Sequence, residues 1–333
     1  MKQQEFFPRT DDRWRLHLTR HWTDGRLDRR RRPLMMVPGY AMNAYVLSFH
    51  PTGRSMVEYL CDQGFEVWTA NLRGQGESRL LGKSPPDDAR NFSISDLALT
   101  DIPRAIDEVL ARTGANSRSV DVVGCSIGIS YLYAYLAHHT ESHRAGSIIA
   151  VGGPLKWRDV HPLMRTLFGS ASVARLLPTR GMRQMASLAL PLARFARPIT
   201  DLYMNLDRID FSRSDELLNT VDDPSTRLNV EVAEWIRNRD LVVDGTNFTE
   251  GVGDIDSPIL CVLANSDLIV PPASVLSIRE AFDEKRAERQ VDVHRVGEDP
   301  EQSDAWYAHA DLFIGEDAEG DVFEPMAEWI RLQ

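Results

Sequence analysis

Ser119-Val120-Asp121-Val122-Val123-Gly124-Cys125-Ser126-Ile127-Gly128-Ile129-Ser130-Tyr131-Leu132-Tyr133-Ala134-Tyr135-Leu136 decides how the chain is read. A β-branched run, Val120 to Val123, meets Gly124-Cys125-Ser126-Ile127-Gly128, and an apolar segment of helical length follows. A serine at the apex of such a strand–turn–helix has its hydroxyl pushed out beyond the end of a sheet, in a turn so tight that its neighbours must be small. The pentapeptide Gly-x-Ser-x-Gly is weak by itself. Glycine is about 7 % of residues in proteins, so the pattern arises by chance in roughly one chain in ten of this length. The strand before it and the helix after it supply the specificity.

Outward from this turn, short apolar runs alternate with helix-length segments. Leu34 to Val37, Phe65 to Ala70, Ser147 to Val151, Pro258 to Ala264 and Val291 to Val296 read as buried strands. Gly53 to Gln63, Ile94 to Thr113, Ala273 to Arg289 and a closing stretch holding Val322, Phe323, Met326, Trp329 and Ile330 read as helices. Ahead of them, residues 1–32 suggest an antiparallel hairpin at a sheet edge, pairing Glu5-Phe6-Phe7 with Trp14 to Leu18. The glycines of Arg73-Gly74-Gln75-Gly76 lack the third glycine and the following helix of a phosphate loop, so a structural loop is expected. An acidic loop follows Val296. The alternation predicts an α/β fold with a doubly wound, mostly parallel sheet.

The rhythm breaks after Pro154. From Leu155 to Gly251, methionine, leucine and arginine dominate, and Pro178, Pro191 and Pro198 interrupt short amphipathic stretches. The expected organisation is a core domain of residues 1–154 and 252–333 with a helical cap insertion at 155–251. Most apolar residues of the insertion are expected to form its own core, a minority lining a substrate cleft.

Composition narrows the function. The 333 residues carry a formal net charge of -11, which argues against a nucleic-acid partner and against anionic-membrane binding as the main activity. Cys61, Cys125 and Cys261 lie far apart in apolar segments, as reduced buried thiols do. No signal-peptide h-region opens the chain and no run reaches the ~18 apolar residues of a membrane span. A cytoplasmic protein without a transmembrane segment is expected; the oligomeric state is left open. His138, His139 and His143 fall at a helix C-terminus, where histidines suit the helix dipole, and the Arg29 to Arg32 cluster reads as a solvated loop. Neither metal nor organic cofactor is expected.

A serine hydroxyl needs a base to take its proton, and the base needs a third group to hold its tautomer. Ligand-side loops follow the carboxyl ends of parallel strands, which selects Asp267 and His309. Serine, acid, histidine is then the chain order. Asp311 stands too near His309 in sequence to orient it from an opposite loop. Donors for an oxyanion are expected from the backbone N–H of Ile127 and, after the Val37 strand, of Tyr40.

From Leu34 to the C-terminus the sequence resembles the α/β-hydrolase fold family of serine esterases and lipases, with Ser126, Asp267 and His309 at the triad positions. Gly64 to Gly74 is similar to an acid-lipase pattern. Ser48-Phe49-His50-Pro51-Thr52-Gly53-Arg54-Ser55 is similar to polyhydroxyalkanoate synthases. Pro38 stands where many relatives carry the histidine of a His-Gly oxyanion motif, and Asn71 where many carry aspartate. The resemblance implies a carboxylic-ester hydrolase acting through an acyl-enzyme on a small-molecule or lipid-like ester. The alternatives are an acyltransferase related to the synthases and a catalytically silent binding protein.

Overall fold

The computed structural model describes residues 1–82, 88–297 and 305–333. Eight strands form the central sheet: β1 (Lys2–Phe6), β2 (His17–Trp22), β3 (Leu34–Val37), β4 (Val67–Asn71), β5 (Val120–Cys125), β6 (Ala145–Val151), β7 (Ile259–Ala264) and β8 (Val291–Val296). Their spatial order is β1-β2-β4-β3-β5-β6-β7-β8. β1, β2 and β4 pair antiparallel; every pairing from β4 through β8 is parallel.

The inner parallel strands are buried and mostly apolar because both faces are covered, whereas the edge strand β8 carries Asp292, His294 and Arg295. Met35 and Val37 of β3 join one hydrophobic cluster, while Leu34 and Met36 join the other. The same alternation puts Val120 and Val122 of β5 on the first face, and Val123 and Cys125 on the second. Helices cover the two faces, among them α1 (Met56–Asp62), α2 (Ile102–Arg112), α3 (Gly128–His138), α5 (Thr226–Asn238) and α6 (Glu324–Leu332). The first face takes Ile102 and Ile106 of α2, Leu132 and Leu136 of α3, and Trp235 of α5. The second takes Met56 and Leu60 of α1 with Met326 and Ile330 of α6.

Several expected boundaries shift. The N-terminal hairpin exists at the sheet edge, but Phe6 faces Leu18 and the pairing runs on to Lys2 and Trp22. Trp14 and Arg15 leave it and pair with Leu80 and Arg79. The helix expected over Ala273 to Arg289 is broken at Phe282, a residue in extended conformation. The arginine cluster is solvated at Arg29 and Arg30, as expected, whereas Arg32 is half-buried and donates to Asp121 at 2.7 Å. Most of the acidic loop after β8 lies outside the described residues.

Between β6 and β7 the chain leaves the sheet as short helices, among them α4 (Met182–Ala189) and then α5. Many apolar residues of this stretch are buried, but several around α4 are not. Leu176, Leu188, Leu192, Phe195 and Ile199 are 60 % to 88 % exposed. Trp157, Phe168, Trp235 and Phe248 are buried, joining the first-face cluster of the sheet. Cys61, Cys125 and Cys261 are free and buried.

Candidate active site

Ser126 directly follows β5 at φ +52°, the left-handed region that side chains rarely occupy. Its N–H donates to Val151 O at 2.8 Å, which ties the apex to β6. The flanking glycines are needed for close approach rather than for backbone freedom. A Cβ on Gly124 would lie 2.2 Å from Ile129 Cα, and one on Gly128 would lie 2.6 Å from the carbonyl oxygens of Val37 and Pro38. Gly39 and Gly153 are equally constrained, 2.7 Å from Ser126 Cβ and 2.0 Å from Ser126 O. Helix α3 can therefore start directly over the sheet edge, with its N-terminus beside the serine.

The three sequence-predicted side chains meet here. His309 Nε2 lies 2.9 Å from Ser126 Oγ, and His309 Nδ1 lies 2.6 Å from Asp267 Oδ2. A carboxylate only accepts, so Nδ1 carries a hydrogen and the Nε2 of a neutral ring faces the hydroxyl as an acceptor. The second carboxylate oxygen of Asp267 accepts from the N–H groups of Ile269 and Val270 at 2.9 and 2.8 Å. All three side chains are buried. Asp311 does not contact the imidazole. Its oxygens accept from the N–H of Ala308 at 2.8 Å and of Asn205 at 3.0 Å, and burial pushes its carboxyl up to about 6.

Two polar residues outside the sequence-based set hold the site's loops. Asn265, directly after β7, donates to Gly297 O and Ala305 O and accepts from Tyr307 N, all within 2.9 Å. It thereby clamps the segment that carries His309. Gln75 accepts from Leu72 N and donates to Gly39 O at 3.1 Å, supporting the loop that packs on Ser126. Neither belongs to a recognisable pattern; each is an ordinary polar loop residue until its partner is placed.

Ile127 and Tyr40 both border the cavity above Ser126. Among the described residues, neither backbone N–H has an acceptor. The Tyr40 hydroxyl is engaged elsewhere, donating to Asn229 Oδ1 at 2.5 Å. The cavity measures about 510 Å³, and Met164, Phe168, Met182, Met185, Val221 and Val232 make its wall predominantly apolar. A smaller cavity of about 250 Å³ lies beyond a partition that includes Tyr203, Thr220 and Val221.

The other singled-out residues serve structure. Asn71 accepts from Ala44 N at 2.8 Å. His50 Nε2 is 2.9 Å from Gly315 O, and Nδ1 accepts from Gly53 N. Arg73, from the two-glycine loop, is buried against Asp101. Burial pushes the Cys125 thiol well above its ordinary range.

The sequence model of the alpha/beta hydrolase fold matches residues 32–294. Two probable lipases of Schizosaccharomyces pombe are each 28 % identical, over 137 and 162 residues. These matches take in 40 % and 44 % of this chain and 30 % and 34 % of the relatives, so the chain spans about a third of the length of the curated relatives it matches. Among solved structures, an esterase from Exiguobacterium antarcticum superposes with a TM-score of 0.62 at 14 % identity, covering 98 % of this chain and 100 % of that one. At such identity the likeness is one of fold.

Proposed function

The chain belongs to the alpha/beta hydrolase fold family, and from that premise we propose that it hydrolyses carboxylic esters with Ser126, His309 and Asp267 as its catalytic triad. The observation that carries this reading is the unbroken path from Ser126 Oγ through the His309 ring to Asp267 Oδ2, with links of 2.9 and 2.6 Å, at the base of an apolar cavity. His309 Nε2 takes the proton as Ser126 Oγ attacks the ester carbonyl. Asp267 stabilises the imidazolium that results. The N–H groups of Ile127 and Tyr40 donate to the oxyanion, aided by the N-terminal end of α3. Collapse of the tetrahedral intermediate returns the proton to the leaving alcohol and leaves an acyl-enzyme on Ser126. Water deprotonated by His309 then releases the acid.

Residues 155–251 act as a cap in this reading. Met182, Met185 and Ala186 of α4 supply its wall over the nucleophile. Apolar walls suit an alkyl or acyl chain; ester recognition falls to the oxyanion donors. An aspartate nucleophile, as in haloalkane or epoxide chemistry, is absent from the apex.

A fluorophosphonate probe should label Ser126, and nitrophenyl esters from acetate to palmitate should be turned over. Ser126→Ala should lose labelling and at least about 10³-fold in rate, because the hydroxyl is the covalent centre. Turnover by this variant above a few per cent of wild type, with unchanged circular dichroism, would sink the proposal.

A further inference from the structure

Residues 160–200 contain six arginines, at 165, 175, 180, 183, 194 and 197, and no aspartate or glutamate. The chain as a whole has a formal net charge of -11, so this stretch over the cavity is locally basic in an acidic protein. Arg183 and Arg197 lie within ion-pair distance of Asp222 and Asp207, at 3.6 and 2.6 Å. Arg165, Arg175 and Arg194 are exposed. Together with the Arg197 hydrogen bond, Arg194 helps to hold the Asp207 carboxyl below its ordinary range, but like Arg165 and Arg175 it lies on the solvent-facing surface.

The same stretch has two faces. Met182, Met185, Ala186 and Ala189 recur at helical spacing along α4 and line the substrate cavity. Leu188, Leu192, Phe195 and Ile199 also recur at helical spacing, four, three and four residues apart, running from α4 through the turn Leu190–Phe195 into the helix Arg197–Thr200. A stripe at that spacing normally faces a core. Here its members are 76 %, 60 %, 88 % and 63 % exposed, and Leu176 just upstream is 83 % exposed.

We propose that this outer face docks the protein on an anionic lipid surface, placing the cap and its cavity against the phase from which a lipid ester is drawn. The docking stands on the exposed stripe and its arginines; only the lipid-ester part rests on the hydrolase reading above. Apolar side chains flanked by arginines suit the boundary between acyl chains and headgroups. That boundary is soft, so protruding side chains on short helices need no matching groove. A second copy of the chain is the poorer occupant. A two-fold contact would set the same arginine-rich patch against itself, with like charges opposed. The overall negative charge is no obstacle, because an anionic surface is felt only within about 8 Å at physiological salt.

The test is co-sedimentation of the full chain carrying Ser126→Ala with vesicles of phosphatidylcholine alone or mixed one-to-one with phosphatidylglycerol. Binding should be selective for the mixed vesicles and fall with salt. Phe195→Ser or Leu188→Ser should each weaken it on the order of 10-fold. Arg165→Gln, Arg175→Gln and Arg194→Gln together should weaken it roughly 100-fold. In the Ser126 background, these outer-face variants should leave nitrophenyl acetate hydrolysis unchanged. Absence of vesicle binding, equal binding to both vesicle types, or a dimer abolished by Phe195→Ser would overturn the docking. Docking is overturned alone if soluble esters are still hydrolysed. Selective vesicle binding without hydrolysis of any ester would uphold the docking and remove the hydrolase reading instead.

Discussion

Asp267 and Asp311 lie in consecutive strand-end connections, after β7 and β8, yet share one buried neighbourhood, and their partners separate their roles. Asp267 meets the imidazole, whereas Asp311 accepts backbone N–H groups of the loop around His309. Asp267→Asn should therefore lower ester turnover by about 10⁴-fold, since a side-chain amide favours the wrong histidine tautomer. Asp311→Asn should stay within about 10-fold, and the reverse ranking would show that Asp311 orients the ring. The Asp311 carboxyl, raised by burial to about 6 against about 3.9 when unfolded, holds its proton more tightly in the native state. Its stabilising contribution is full below about pH 3.9 and is lost as the pH rises through about 6. Asp311→Asn lacks this loss, so its stability relative to wild type should improve by up to about 3 kcal/mol between pH 4 and pH 8. Denaturant unfolding at both pH values measures the change; a constant difference would remove the assignment. Ser126 and Asp267 were legible as candidates in the sequence because each closely follows an apolar strand, and His309 because it is the histidine in the loop that follows the last strand, Val291–Val296. Asn265 and Gln75 were not, because a loop amide acquires its role only from the carbonyl that tertiary folding brings to it.

Under the proposed function, the element on which specificity would turn is α4. It borders the larger cavity through Met182, Met185, Ala186 and Ala189, and the smaller one through Ala186 and Ala189. Replacing Met185 by a wider, stiffer side chain should fill space an acyl chain would occupy. Met185→Trp should lower kcat/KM for nitrophenyl palmitate by about 10-fold or more while leaving acetate near wild type, since a lost apolar contact of 1–3 kcal/mol falls on the long substrate alone. An equal loss across the ester series would mean that α4 does not border the acyl site. Periodicity identified helices here correctly, but it could not say what faces them. Met182 and Leu188 look alike as apolar positions in a methionine- and leucine-rich stretch; one lines the cavity and the other is 76 % exposed. The distinction depends on whether a neighbouring element arrives to cover the side, which the stretch itself does not encode. The sheet strands were plainer, because an apolar run that is short and bounded by glycine or proline has few other fates in a domain of this size.

At the scale of the whole molecule, the loops at the sheet's carboxyl edge depend on a polar web that pattern-reading does not reach. Arg73 follows β4 by two residues, and its side chain is nearly inaccessible, as is Asp101. The Arg73 Nη2 and Nε groups donate to Asp101 at 2.7 and 3.0 Å, its backbone N–H donates to Asp101 at 2.8 Å, and Nη1 reaches Asp12 at 2.7 Å. One guanidinium thus joins the N-terminal segment, the loop after β4 that carries Gln75, and the helical run leading to β5. In the sequence these residues sit in three unrelated polar stretches, and only the strand order brings them together. The energetic consequence follows from burial: a matched buried pair contributes little net stability, but removing one member strands the other's charge out of water. Arg73→Met should destabilise the fold by about 3–5 kcal/mol. Arg73→Met combined with Asp101→Leu should recover most of that loss, because the orphaned carboxylate is gone and apolar volume replaces the pair. A double-mutant cycle by guanidinium unfolding measures the coupling directly. If Arg73→Met alone changed stability by less than about 1 kcal/mol, the web would be acting as a solvated surface pair and the loop order at the active edge would need another source.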